Sequence, residues 1–251
     1  MLDAAQALGH IPEDRANPAR WKGHLAKLLP KPKKLSRGHQ KALPYADAPG
    51  FVQALRRADN MAALALEFLI LSATRTNETL GAQWREVDLV NATWTIPPSR
   101  MKTNEAFSVP LSDRAVEIVA DARRTACKEP GPDGFVFFGV IPKKPLSNMA
   151  LAMLLRRMDV DATAHGFRTS FRTWCSDVAH VPFEVAEACL SHKIGSAVSR
   201  AYARSDMLER RRPVMAQWAA FLGCAAAAPA SDGEAETAAK VVSIGSRQKR
   251  P

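Results

Sequence analysis

The run "MAALALEFLILSA", residues 61–73, constrains the fold more than any other stretch of this sequence. Wound as a helix it is apolar on every side, broken only by Glu67, and Asn60 before it is a residue type that caps helix starts. It falls short of the roughly 18 apolar residues of a membrane span, so it predicts a helix that other elements must surround. Hydrophobic residues make up 47% of the 251-residue chain, enough for the core of one ordinary domain, or one domain plus a fragment.

The surrounding elements are legible in part. "NETLGAQW" reads as a second short helix. "ATWTIP" and "FSVPL" alternate like strands and are joined by the polar "PSRMKTNEA", which predicts a β-hairpin. Ser112 and Asp113 open a further helix, and "GPDG" breaks the chain before an apolar strand, "FVFF". Ser147 is placed to cap "NMALAMLLRRM"; "GFRTSFRTWCSDV" and "PFEVAEACL" are also helical in pattern. A last helix covers about 206–222, where Pro213 predicts a kink or the true start. The fold class is therefore mainly α with a small β-hairpin or sheet (α+β). Residues 1–29 carry a short helical pattern ending in "NPARWKGHLAKLL", 30–46 form a basic linker, 47–223 the globular domain, and 224–251 a tail of disordered composition.

A formal charge of +10 narrows the partners to polyanions, nucleic acid first and an anionic membrane surface second. "PKPKKLSRGHQK" supplies Lys31, Lys33, Lys34, Arg37 and Lys41 with no acid among them. It reads as a solvated linker or as a strand along DNA phosphates, and the two are compatible. The N-terminus lacks the charged-then-apolar order of a signal peptide. Cysteines 127, 175, 189 and 224 have neither C-x-x-C pairing nor zinc spacing, and fit reduced thiols in the cytoplasm.

The chain has two tyrosines. Tyr45, in the Pro-flanked "LPYADAPG", reads as structural. Tyr202, in "SRAYARS", lies between Arg200 and Arg204, either as an ordinary amphipathic side chain or as a phenol awaiting a phosphate. Other cationic groups stand at element ends. Arg75 follows the buried run, with Glu78 at i+3. Lys102 lies in the hairpin turn, His165 and Arg168 in "HGFR" share a helical face, and His192 follows "EACL". Singly, these are a local ion pair, a solvated lysine, a chance spacing and a surface histidine. Their order is another matter.

That ordered set resembles the tyrosine recombinases, the phage integrase family. "ATRTNETLGAQW" looks like the first-arginine box, "MKTNEAFSVPLS" like the hairpin-lysine segment, and "AHGFRTSFRTW" like the His-x-x-Arg box. "LSHKIGSAVSRAYARSDMLERR" is similar to the segment carrying the last histidine and the nucleophile. Within the family, "WTIPPSRMK" and "NPARWKGHL" are nearest in wording to integrases of prophages and genomic islands. The resemblance spans roughly residues 15–222. It implies the tyrosine recombinase catalytic-domain fold, with Arg75, Lys102, His165, Arg168 and His192 as catalytic residues, Tyr202 as nucleophile and Glu78 orienting Arg75. It also implies double-stranded DNA attachment sites as partner, contacted by Arg200 and Arg204 among others, and assembly on DNA as a tetramer that exchanges C-terminal helices. "MAQWAAFLG" is the segment for that exchange, or else a self-packed helix. No cofactor and no metal are implied.

Three departures stand out. Ser191 occupies a place where many members have Gly, and Phe107 and Ser108 places where relatives often carry His and Arg. The chain also starts near the end of the family's core-binding domain, so a remnant that binds DNA without recombining it is the alternative reading. A type IB topoisomerase shares the tyrosine chemistry but fits the wording poorly.

The implied chemistry needs these residue types. A phenol attacking in line yields a 3′-phosphotyrosine and a 5′-hydroxyl, and the retained ester lets the strand be resealed without ATP. Two guanidiniums, Arg75 and Arg168, suit the charge that builds on the non-bridging oxygens. His165 and His192 can donate to the phosphate or move the phenol's proton, and Lys102 can protonate the leaving 5′-oxygen.

Overall fold

The computed structural model describes residues 2–12, 14, 17, 25–29, 40–126, 131–141, 143–192 and 207–224. The chain divides into two units between residues 39 and 40. The first holds two short helices, α1 (Leu2–Ala7) and α2 (Ala26–Leu28). The second holds α3 (Ala48–Arg56), α4 (Met61–Ser72), α5 (Thr76–Leu80), β1 (Val87–Asp88), β2 (Thr93–Ile96) and β3 (Phe107–Pro110). There follow α6 (Asp113–Thr125), α7 (Asn148–Arg157), α8 (Gly166–Asp177), α9 (Phe183–Cys189) and α10 (Leu208–Gly223).

Helix α4 is the centre, as its composition demands. Asn60 is extended and its side chain accepts the Ala63 N–H at 3.0 Å, satisfying an orphan donor of the first turn. Helices α3, α6, α7, α8 and α10 pack around it, and Leu66, Phe68, Leu69, Ile70 and Leu71 lose almost all contact with solvent. Glu67 is buried with them. A carboxylate there is tolerable only with close cationic partners. Arg56 Nε donates to Oε1 at 2.7 Å, and Arg114 grips both oxygens, Nε to Oε1 at 2.9 Å and Nη2 to Oε2 at 3.0 Å. The one charged residue of the run thus fastens α3 and α6 to the central helix, and its hydrogen bond raises the Arg114 guanidinium above its ordinary pKa.

The sheet is antiparallel in the order β1-β2-β3, with Thr93 opposite Pro110 and Ile96 opposite Phe107. Trp94, Ile96 and Val109 face the core, where the Trp94 ring lies 5.4 Å from Phe68. The expected hairpin is present. Strand β1 was not foreseen, because two residues are too short for alternation to register.

Four local expectations are corrected. The second helix ends at Leu80, before Gly81, and Trp84–Glu86 is a separate single 3-10 turn. "FVFF" is no strand: Phe135 and Phe138 make isolated bridges to Gln83 and Pro145, since no neighbouring strand continues the ladder. Ser147 precedes α7 without a side-chain cap bond. Pro213 lies inside α10 and does not start it. On its own chain α10 buries Val214, Met215, Trp218 and Leu222, and Trp218 Nε1 donates to the Ile70 carbonyl at 2.9 Å. "MAQWAAFLG" is therefore self-packed in this structure. The Tyr45 ring packs at its edge, tilted by 55° and 6.4 Å from Phe221.

The chain entering the second unit lies across the start of α8. Thr163 donates to the Lys41 carbonyl through its backbone N–H at 3.0 Å and its hydroxyl at 3.3 Å, and the Ser170 hydroxyl donates to the Leu43 carbonyl. A Cβ on Gly166 would sit 2.0 Å from the Lys41 oxygen, so glycine is required there by close backbone approach.

Glu67→Ala should lower unfolding stability by about 3 kcal/mol, because it strands two guanidiniums beside an apolar helix. Both arginines keep some water contact, which holds the effect at the lower end of the range. Chemical denaturation reads it, with an unchanged denaturant slope expected.

Candidate active site

The turn from α4 into α5 sets the first arginine. Ala73 is left-handed at φ 50°, and three buried hydroxyls brace the turn behind it. Ser72 Oγ donates to the Phe68 carbonyl at 2.7 Å and lies 2.9 Å from Thr74 Oγ1, which lies 2.8 Å from Thr79 Oγ1. Arg75 then caps α5. The buried Glu78 carboxylate accepts the Arg75 backbone N–H at 2.8 Å and its Nη1 at 2.6 Å, holding one side of the guanidinium.

The second arginine is on α8. His165 stands at its N-cap, and Arg168, one turn on, is 5% exposed. Arg168 Nη1 donates to the Ala73 carbonyl, and Nη2 donates to the Leu190 carbonyl at 2.7 Å and lies 3.3 Å from His192 Nε2. Burial first, and the positive Arg75 second, bring its pKa down to about 10. His165 is also lowered, by burial and then by Arg168, Arg75 and His192. These four side chains, spread over 118 positions from 75 to 192, thus lie within electrostatic reach of one another.

His192 sits in the turn after α9, its backbone N–H donating to the Glu187 carbonyl at 3.0 Å and its Nδ1 2.7 Å from Glu187 Oε2. The preceding Ser191 is left-handed, φ 53°, the conformation that glycine adopts without strain. That accounts for the glycine common at this place in the recombinase pattern, and marks the serine as a strained substitute.

Lys102 lies on the loop between β2 and β3, and with Arg75, Glu78, Ser99 and His165 it lines an open cleft of about 430 Å³. Arg100 secures that loop: Nη1 donates to the Glu78 carbonyl at 2.9 Å and Nη2 pairs with Glu86. It passes so close to Gly81 that a Cβ there would meet Nη1 at 2.7 Å.

Arg75, Lys102, His165, Arg168 and His192 are therefore gathered in one place, with Glu78 against Arg75. Tyr202, Arg200 and Arg204 lie outside the described residues, as do Lys31, Lys33, Lys34 and Arg37. Lys41 is described, and its Nζ is engaged by Asp161 at 2.7 and 2.8 Å on the surface. The departures in the hairpin have uses within the chain, Phe107 against Arg211 and Ser108 on the exposed face of the sheet. The Phe107 ring lies under the Arg211 guanidinium at 4.8 Å, and Ser108 Oγ is 3.3 Å from Thr95 Oγ1. Sequence reasoning missed Glu187, Arg100 with Glu86, and the hydroxyl trio. Only Glu187, five residues before His192, left a usable trace in sequence spacing. Among the described residues no group of three or more His, Cys, Asp or Glu side chains is placed to hold a metal ion, and no helix is long and apolar enough to cross a membrane.

The sequence pattern of the phage integrase family matches residues 42–209. Prophage integrase IntZ of Escherichia coli (strain K12) is 34% identical over 185 residues, covering 72% of this chain and 45% of that protein. Prophage integrase IntA of the same strain is 36% identical over 153 residues, 60% of this chain and 36% of that protein. The chain thus spans less than half the length of these relatives. Among solved structures, the integrase from mycobacterium phage Brujita is similar with a TM-score of 0.51 at 16% identity, covering 86% of this chain and 67% of that one. A lambda integrase dimer bound to a COC′ core site is similar with a TM-score of 0.51 at 18% identity, covering 77% and 68%. At such identities the likeness is one of fold.

In an NMR titration His165 should remain neutral to lower pH than an ordinary histidine. Arg75→Gln should move its midpoint upward but not all the way, because burial remains the larger cause. Since the folded chain holds fewer protons at this site than the unfolded chain, His165 makes the fold less stable as pH falls through the ordinary histidine range.

Proposed function

Because the chain belongs to the phage integrase family, we propose that it cuts and rejoins double-stranded DNA at attachment sites through a 3′-phosphotyrosine formed on Tyr202. The observation that carries this reading is the convergence of Arg75, His165, Arg168 and His192, with Lys102 facing the same cleft as Arg75 and His165. The positive charges of Arg75 and Arg168 repel each other across this site, and an anion between them would relieve it.

A scissile phosphate answers that need. Arg75 presents the side of its guanidinium that Glu78 leaves open, and Arg168 is held rigid from behind by two carbonyls. Donors fixed in advance of the charge they meet do not have to reorganise in the transition state. In this reading the Tyr202 oxygen attacks phosphorus in line, His165 and His192 hold the non-bridging oxygens or move the phenol's proton, and Lys102 delivers a proton to the departing 5′-oxygen. The step balances without metal, water or nucleotide, because the new P–O bond replaces the broken one.

Around this centre we assign Lys31, Lys33, Lys34 and Arg37 of the 30–46 linker, together with Arg200 and Arg204, to DNA phosphates. Residues 1–29 are taken as the end of a core-binding domain and 224–251 as a basic-ended tail. Assembly of several copies on DNA in the cytoplasm, as a tetramer, belongs to the same proposal.

Mixed with a nicked attachment-site duplex, the protein should form a covalent adduct visible on a denaturing gel, absent in Tyr202→Phe. Arg75→Lys should slow adduct formation by about 10²- to 10³-fold, because lysine cannot replace the fork. An adduct surviving in Tyr202→Phe would remove that residue from the nucleophile role. A band shift with no adduct would leave a DNA-binding protein without strand chemistry. Binding should also weaken steeply between low and moderate salt, in proportion to the phosphates contacted.

A further inference from the structure

Glu187 was absent from the residues singled out by sequence, and it makes the closest side-chain contact that His192 has. Its Oε2 lies 2.7 Å from His192 Nδ1, and its Oε1 accepts from Arg172 Nε at 2.6 Å. Arg172 is itself steadied over the Phe183 ring at 5.1 Å. The chain of contacts runs Phe183, Arg172, Glu187, His192, Arg168, and joins the outer faces of α8 and α9 to the centre of the site.

We propose that Glu187 is a positioning residue that fixes the proton of neutral His192 on Nδ1 and so decides what its Nε2 can do. Burial works to raise the Glu187 pKa, but the hydrogen bonds from His192 and Arg172 outweigh it and the net direction is downward. The carboxylate is therefore ionised and can only accept. Nδ1 must then be the donor. On the other side of the ring Arg168 Nη2 stands 3.3 Å from Nε2, and a guanidinium can only donate, so Nε2 carries the lone pair.

This arrangement gives His192 two states with different partners. Without an anion, the neutral ring accepts from Arg168. An N–H on Nε2 would point at the Arg168 guanidinium, donor against donor, unless a negative oxygen stands between. A phosphate oxygen placed there could take an N–H from Arg168 and another from His192, while Glu187 balances the imidazolium from behind. The carboxylate would thus make the histidine a donor only when the anion has arrived. This second half rests on the strand-cleavage reading; the tautomer does not.

The test is nitrogen-15 NMR of the imidazoles in the DNA-free chain, with the His192 signals assigned by their loss in His192→Gln. The wild type should show a protonated Nδ1 and an unprotonated Nε2. Glu187→Ala should shift the ring toward the Nε2-protonated form, while Glu187→Asp, which keeps a carboxylate acceptor, should retain the wild-type tautomer. An Nε2-protonated wild type, or a tautomer unmoved in Glu187→Ala, would overturn the assignment. On the nicked duplex, Glu187→Ala should lose about 10- to 100-fold in adduct rate with DNA binding retained, and Glu187→Asp less. Equal losses in the two variants would overturn the catalytic half. A wild type that forms no adduct would sink the cleavage reading together with that half, while the tautomer measurement still decides the first.

Discussion

One desolvated guanidinium organises the centre of this fold. Arg168 lies where two helices end. Ala73 is the C-cap of α4 and Leu190 the C-cap of α9, and carbonyls at helix C-termini have no partner of their own and carry the negative end of the helix dipole. By donating to both, Arg168 satisfies two orphan acceptors and receives the partial charge that makes its burial tolerable. Arg75 begins two residues after one of those carbonyls, His192 two residues after the other, and His165 lies one turn before Arg168 itself. The position of each is thereby indexed to a single side chain.

The rest of the site consists of arrangements for holding positive charge at close quarters. Three of these side chains are backed by a carboxylate on the far side: Glu78 behind Arg75, Glu86 behind Arg100, Glu187 behind His192. Those acids restrict direction as well as lowering energy, since a group held from one side presents the other. What remains uncompensated is the inner face; burial does most to lower the pKa values of His165 and Arg168, and the neighbouring positive charge adds to it. On the proposed reading a phosphodiester would relieve that repulsion, so that recognition and electrostatic relief would be one event.

The main lines of this arrangement were legible in the sequence because they depend on local pattern. The apolar run around Glu67, the Asn60 cap and the alternation of "ATWTIP" and "FSVPL" are short-range signals, and the structure has each of them. The failures were also physical. Whether "FVFF" becomes a strand depends on a neighbour to pair with, which sequence does not display, and Pro213 is accommodated because α10 is held by Trp218 and its aromatic neighbours regardless of one missing bond. The order of Arg75, Lys102, His165, Arg168 and His192 was readable from a pattern of boxes. That Arg100 stands behind them was not, and Glu187 left only its spacing from His192, because both act across turns, where side-chain direction is set by tertiary contacts. Ser191 shows a converse case: the sequence revealed an oddity, and the backbone angle gave its meaning.

The anchoring of α10 has a mechanical corollary. Arg211 stacks on Phe107, Arg212 donates to the carbonyls of Asn91 and Ala92, and Trp218 reaches Ile70, so the helix that begins just past Met207 is moored to the sheet and to α4. Tyr202 precedes Met207 by five residues, and a fully stretched chain spans about 3.5 Å per residue. Chain length alone tethers its α-carbon within about 17 Å of that mooring, and on the proposed reading a phosphorus open to attack must come within that distance plus the length of the tyrosine side chain.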